Sequence, residues 1–205
     1  RVLRGDGSPF PGKPVTFEVT RSDGRLGQTA EDTAAVKLQV LTDSEGIAQT
    51  FLRLGSDAGC ANNRVSVTSR DILGGLSFTA SALAGAPRQL NLGSGNLQRI
   101  EAGALAPLPL VAWVNDGVNG IGGVPVTFTA LVGGGTVNGE SLVTVLSEPT
   151  GHASVDFVAG PDGGQNLIMA DFEGNVEPSI LFEITGVARV AGAPTRFIGE
   201  VLNNG

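Results

Sequence analysis

The sequence states one pattern twice, and that repetition constrains the fold more than any other feature. Pro14-Val15-Thr16-Phe17 returns as Pro125-Val126-Thr127-Phe128. Val40 to Ala48, with Thr42-Asp43-Ser44-Glu45-Gly46 at its centre, returns as Val145 to Ala153 around Ser147-Glu148-Pro149-Thr150-Gly151. Ala84-Gly85-Ala86-Pro87 returns as Ala191-Gly192-Ala193-Pro194. The copies lie about 105 residues apart, too long for a solenoid repeat and the size of a whole small domain. A chain of 205 residues then holds about two such units, each long enough to bury its own core.

Within each copy the apolar period is two. Val15, Phe17 and Val19 alternate with Thr16, Glu18 and Thr20; Val36, Leu38 and Val40 alternate with Lys37 and Gln39; Val126, Phe128 and Ala130 alternate with Thr127 and Thr129. Alternation rich in β-branched residues predicts half-buried strands. Turn signals punctuate these runs at Ser22-Asp23-Gly24, Asp43 to Gly46, Asn119-Gly120, Gly133 to Gly135, Asn138-Gly139 and Pro161 to Gly164. Thr29 to Ala35 alone allows one helical turn behind a capping threonine, and reads as loop variation between the copies. Superposing Gly46 on Gly151 sets Ala48, Thr50, Leu52 and Leu54 against Ala153, Val155, Phe157 and Ala159, which predicts an inward face. Ile47, Gln49, Phe51 and Arg53 then face outward with His152, Ser154, Asp156 and Val158.

These patterns predict an all-β chain of two tandem β-sandwiches, at 1–87 and 88–193, with 194–205 as the first strand of a further unit or a linker. The first sandwich lacks its N-terminal strand or strands, because nothing in it answers to Leu90–Leu110. The chain reads as a fragment that begins inside a repeat. A truncated sandwich exposes an edge, so edge-strand self-association is expected. The joint at Ala84 to Pro87 reads as a short, semi-rigid hinge.

The succession Gly12-Lys13-Pro14-Val15-Thr16-Phe17, Val40 to Ala48, then Ala58-Gly59 before Asn63-Arg64-Val65-Ser66-Val67 resembles a bacterial Ig-like domain of the invasin/intimin group. The second copy keeps the frame with Ser147-Glu148-Pro149 at the turn and Gly163-Gly164 ahead of Asn166-Leu167-Ile168. The shared residues are turn and core residues: Gly46 and Gly151 suit a turn of positive φ, with the small Ala48 and Ala153 just inside. The resemblance implies Ig-like sandwiches acting as stalk modules of a bacterial cell-surface or secreted protein. The family's lectin-like terminal domain has no counterpart in the sequence.

Composition narrows function further. A net charge of −7, with Lys13 and Lys37 the only lysines, argues against nucleic acid. No apolar run is long enough to span a membrane, and no leader pattern opens the chain. Cys60 is the one cysteine, so no intrachain disulfide forms; it reads as a small buried hydrophobe, with pairing to another chain left open. His152 is the only histidine, aligns with Ile47 of the other copy and reads as a surface residue rather than a general base. Cys60 and His152 cannot build a zinc site. The acidic residues Asp43, Glu45, Asp57, Asp162, Asp171 and Glu173 read as solvated turn carboxylates, with a calcium ion at the joint left open. Trp113 reads as core or interface packing, and no isopeptide pattern surrounds Lys13 or Lys37.

Arg4-Gly5-Asp6 is the tripeptide that integrins read, set in a predicted loop, and it is the one candidate binding motif. The second copy carries Val114-Asn115-Asp116-Gly117 there, which shows that the position favours turn residues. The expected function is a non-enzymatic stalk or spacer of a larger adhesin-like protein, without catalytic, cofactor or metal residues. The partners are neighbouring domains of the same polypeptide. The alternatives are a module that binds a host receptor, glycan or assembly partner, and an accessory β-domain of a secreted enzyme or toxin.

Overall fold

A computed structural model describes residues 1–70 and 72–188. The expected beginning of a third unit lies outside these residues. Contacts divide the chain into two compact units, one of Arg1–Ala86 with Asp116–Asn119, the other of Pro87–Asn115 with the chain from Gly120 onward. Every regular element among the described residues is a strand. The helical turn that Thr29–Ala35 allows does not form. The Thr29 hydroxyl does accept the Asp32 N–H at 3.2 Å, but Thr33–Ala35 then runs on as a strand paired to Leu26. Local capping chemistry survives there, and sheet pairing decides the conformation that follows.

The first unit contains β1 (Pro14–Arg21), β2 (Arg25–Gly27), β3 (Thr33–Ala35), β4 (Lys37–Leu41), β5 (Phe51–Arg53), β6 (Gly59–Ser69) and β7 (Leu76–Ala82). They form a four-stranded sheet in the order β4-β1-β6-β7 and a three-stranded sheet β3-β2-β5. Val15, Phe17 and Val19 point inward with Leu26 and Val65 to make a small core. The second unit contains β8 (Gln89–Ser94), β9 (Arg99–Glu101), β10 (Leu110–Asn115), β11 (Pro125–Val132), β12 (Thr136–Val137), β13 (Leu142–Leu146), β14 (His152–Val155), β15 (Phe157–Val158), β16 (Gly164–Asp171) and β17 (Ile180–Val187). Here a five-stranded sheet β13-β11-β16-β17-β9 and a three-stranded sheet β14-β10-β8 enclose a complete core, with β12-β15 as a short extra ladder.

The repeat seen in the sequence persists at the level of register. Val15 pairs with Val40 and Phe17 with Leu38; Val126 pairs with Val145 and Phe128 with Val143. The β1–β6 ladder slips between Val19 and Arg21, and the β11–β16 ladder slips at the matching place, between Ala130 and Val132. A bulge bends and twists its strand, so preserving it preserves the curvature of the sheet. Leu26 pairs with Leu52 as Val137 pairs with Phe157.

One buried hydroxyl organises each copy. The Thr42 hydroxyl accepts the Lys13 N–H at 2.8 Å and donates to the Phe10 carbonyl at 2.6 Å. In the second unit the Ser147 hydroxyl accepts the Val124 N–H at 3.0 Å and donates to the Ile121 carbonyl at 2.8 Å. Both residues are buried. The turn that follows closes identically, with Gly46 N–H on the Asp43 carbonyl and Gly151 N–H on the Glu148 carbonyl. Both glycines have positive φ, and a Cβ on either would sit 2.4 Å from a carbonyl oxygen, that of Val2 or Val114. No L-residue fits there without a shift. A second buried pair matches as well: Asn63 accepts the Gly55 N–H at 2.8 Å, and Asn166 accepts the Gly160 N–H at 3.1 Å.

The inward phase read from the Gly46/Gly151 superposition holds in the second unit, where Ala153, Val155, Phe157 and Ala159 are all buried. In the first unit Ala48, Thr50 and Leu52 reach only half burial, and Leu54 is exposed. The cause is thinner cover: among the described residues of unit 1 no strand precedes Pro14, whereas β8, β9 and β10 precede Pro125 in unit 2.

Removing one hydroxyl orphans a buried backbone N–H, which costs about 1–3 kcal/mol. Trp113 lies in the second unit, so its fluorescence follows that unit's unfolding. Ser147→Ala is expected to shift the urea transition seen by Trp113 by about that amount. Thr42→Ala should lower the stability of the first unit and leave the Trp113 transition in place.

Candidate functional site

Arg4-Gly5-Asp6 occupies the tip of a tight hairpin. Leu3 bridges Pro9, the Arg4 N–H reaches the Ser8 carbonyl at 2.8 Å, and the Gly7 N–H closes back on the Arg4 carbonyl at 3.0 Å. Asp6 turns inward on the loop and accepts the Ser8 hydroxyl at 2.7 Å and the Ser8 N–H at 2.9 Å through Oδ1. The Ser8 hydroxyl, then the Ser8 N–H, hold its carboxyl below the usual carboxylate value. Arg4 folds back: its guanidinium donates to the Pro9 carbonyl and to Ser8 Oγ, and stands 4.8 Å from the Phe10 ring centroid. The ammonium of Lys13 lies 5.5 Å from the same centroid. The three residues are exposed, and the two charged side chains are engaged in their own hairpin. The second copy has a hairpin one residue shorter at the matching place, in which Asp116 stands at the position of Arg4 and accepts the N–H groups of Val118 at 2.9 Å and Asn119 at 2.7 Å.

The single histidine sits on the outer side of β14, where alternation with Ala153 and Val155 leaves it exposed. Its Nδ1 lies 2.9 Å from the Thr150 hydroxyl. Trp113 faces His152 across the β10–β14 ladder and donates through Nε1 to the Thr150 carbonyl at 3.0 Å. This corrects the expectation of a core tryptophan. Leu110, Ala112 and Val114 take the inward positions of β10, so parity sends Trp113 to the outer, half-buried side. Cys60 is likewise exposed rather than buried: it lies where the β6–β7 ladder slips between Gly59 and Asn63, beside Ala61 at positive φ. Lys37 pairs across the ladder with Glu18 at 2.9 Å.

Acidic residues are spent on turns. Asp43 Oδ1 accepts the N–H groups of Glu45 and Ile47, each at 2.9 Å. Asp171 ends β16 and accepts the Ser179 hydroxyl at 2.5 Å, the Asn175 amide at 2.8 Å and the Phe172 N–H at 2.8 Å. Burial pushes the Asp171 carboxyl up; these three hydrogen bonds outweigh it and hold the group below its ordinary value. Among the described residues no three His, Cys, Asp or Glu side chains cluster as metal ligands, and no helix is long and apolar enough to cross a membrane.

The feature that the motif reading missed is an apolar hollow on the open face of unit 1. It has a volume of about 390 Å³ and is bounded by Val2, Phe17, Ala48, Val67, Leu76 and Phe78. The sequence did contain its signal. Phe78 pairs with Val65 as Phe182 pairs with Ile168, so the two phenylalanines are equivalent, and only the second has covering strands.

No protein-family model matches this sequence, and no curated protein sequence matches it. Similar solved structures include the D0-D1 domain of intimin, at 17% identity and a TM-score of 0.34 over 88% of this chain and 86% of that one. They also include the adhesin InvE of Yersinia pseudotuberculosis, at 17% identity and 0.41 over 90% of this chain and 51% of that one. A β-glucuronidase of Parabacteroides merdae matches at 14% identity and 0.35, over 86% of this chain and 21% of that enzyme. The likeness is one of fold: an all-β chain resembling the Ig-like domains of intimin and invasin.

The lowered Asp171 pKa has a definite sign in its effect on stability. A carboxylate favoured in the folded state contributes above its unfolded pKa of about 3.9, and that contribution disappears as pH falls through the folded value. Asp171→Asn is therefore expected to melt below wild type at neutral pH, with the two curves converging in acid. A difference that persists unchanged as pH falls through the acid range would assign the effect to packing instead.

Proposed function

We propose that this chain is a non-enzymatic structural stalk or spacer segment of a larger bacterial cell-surface or secreted adhesin-like protein. One observation carries the reading. The two copies agree hydrogen bond for hydrogen bond in their frame, through Thr42 and Ser147, Gly46 and Gly151, Asn63 and Asn166, while their exposed positions differ freely. Ile47 against His152 and Gln49 against Ser154 are typical of the outer face. A repeated frame with an unrepeated surface suits a module used for length and stiffness. A repeated site would have kept its surface. The resemblance to the invasin/intimin group, which rests on turn and core residues, points the same way. On this reading the units run from 1 to 87 and from 88 to 193, and 194–205 leads into a neighbour.

Binding through Arg4, Gly5 and Asp6 is the second reading, and the hairpin exposes all three residues. The engagement of Arg4 with Phe10 and Pro9, and of Asp6 with Ser8, favours a structural use of the same side chains.

Two measurements separate these readings. An antibody raised to this chain should detect a polypeptide far larger than 20.8 kDa that shortens when intact source cells are treated with protease. A protected band near that mass would overturn the surface assignment. In a cell-attachment assay on immobilised protein, Arg4→Ala and Asp6→Ala are expected to match wild type. Loss of attachment in both would transfer the function to the hairpin.

A further inference from the structure

We propose that β13 is a self-pairing edge, which docks antiparallel on β13 of a second copy of this chain about a two-fold axis through Thr144. The inference goes beyond the stalk reading and is independent of it, since it concerns contact between chains and would hold for a binding module as well.

The sequence of the strand is the first observation. From Glu140 to Glu148 it runs Glu-Ser-Leu-Val-Thr-Val-Leu-Ser-Glu, the same in both directions about Thr144. A two-fold contact sets residue i of one chain against residue j of the other, and j against i. Here each residue meets its own kind: Leu142 faces Leu146 of the second copy, Val143 faces Val145, and Thr144 faces Thr144.

The backbone agrees with that axis. β13 is an edge strand of the unit whose core is fully covered, and it pairs with β11 alone. The Ala130 N–H donates to the Ser141 carbonyl and the Ser147 N–H to the Val124 carbonyl, so the odd-numbered residues of β13 direct their amides at β11. The N–H and C=O groups of Leu142, Thr144 and Leu146 point the other way. Among the described residues they have no ladder partner. An axis through Thr144 joins these outward groups to one another, Thr144 to Thr144 and each Leu142 to a Leu146. The hydroxyls of Thr127 and Thr144 already lie 2.8 Å apart across the β11–β13 ladder, and the pairing continues that row into the second copy.

The other copy of the repeat supplies the contrast. The matching registers make Lys37 the equivalent of Leu142. Lys37 is ion-paired to Glu18 at 2.9 Å, and a charged edge of this kind discourages pairing. Leu142 and Leu146 are 54% and 65% exposed, with no charged residue between them. The row behind Leu142 differs in the same sense: Met169 and Leu181 stand where unit 1 has Ser66 and Ser77. Unit 1 holds the same register without these apolar residues, so the frame does not require them.

Charge favours a second copy as the occupant. An uncharged edge on a chain of net charge −7 offers nothing to a charged partner and does not repel its own copy along the strand. Only Glu140 and Glu148, beyond its two ends, oppose the pairing. Five residues a side fall well short of the roughly twenty of a standard-size interface, so the contact is weak and depends on high local concentration.

The test uses the whole chain. Sedimentation up to about 1 mM is expected to show a dimer, with amide exchange at Leu142, Thr144 and Leu146 slowing as it forms. Thr144→Lys and Thr144→Glu each set like charges face to face on the axis and should weaken the dimer at least about tenfold. An equimolar mixture of the two variants should restore it, because lysine then faces glutamate. The Thr144 side chain is exposed, and the Trp113 transition checks that unit 2 is folded in each variant. A wild type that stays monomeric overturns the proposal. So does a dimer that both variants form as well as wild type, which would place the contact on another surface. A mixture that associates no better than either variant alone overturns it too.

Discussion

The buried hydroxyl that follows β4 in the first unit and β13 in the second is the contact on which the rest depends. Thr42 and Ser147 each join a backbone donor and a backbone acceptor from the segment entering the first long strand. That segment therefore has one height relative to the hairpin, and the register of β1 on β4 and of β11 on β13 follows. A slip of one residue would turn Phe17 or Phe128 outward and leave a buried N–H unpaired, so apolar burial and polar satisfaction enforce the same pairing. The glycine turn that follows permits an approach to the Val2 or Val114 carbonyl that no side chain would allow.

Completeness separates two otherwise equivalent units. Burying a phenylalanine stabilises a fold by about 1.5–3 kcal/mol, and unit 2 gains this from Phe182 while unit 1 gains little from Phe78. The small core of unit 1 rests on Val15, Phe17, Val19 and Val65 of the four-stranded sheet and Leu26 of the three-stranded one. Its exposed apolar face is thus a consequence of topology rather than of composition, and the same residue types are silent in the copy that has its cover.

The candidate functional residues were legible to very different degrees. The outward place of His152 followed from the repeat, because a position that tolerates isoleucine in one copy is a surface position. The hairpin of Arg4, Gly5 and Asp6 was legible as a turn, but the stacking of Arg4 on Phe10 was not, since it depends on how far the guanidinium folds back. Cys60 was misread as buried because its residue type favours burial; Trp113, read as core or interface packing, is kept out of the core by the parity of β10. The helical turn at Thr29–Ala35 failed because a cap cannot hold a short segment against a neighbouring strand that offers ladder bonds.

Sequence by itself determined the all-β class, the duplication, the positions of the turns and the inward phase of most strands, because each depends on local periodicity and on residues with special backbone freedom. Tertiary structure decided what those patterns were worth. Identical alternation buries Val155 and Phe157 fully and Thr50 and Leu52 only in part, since burial is a property of the opposing sheet. The pairings of Thr42 with Lys13 and Phe10, and of Ser147 with Val124 and Ile121, are contacts between segments distant in sequence. Periodicity speaks for one strand at a time; only the packing of strands against one another shows which face has been left open.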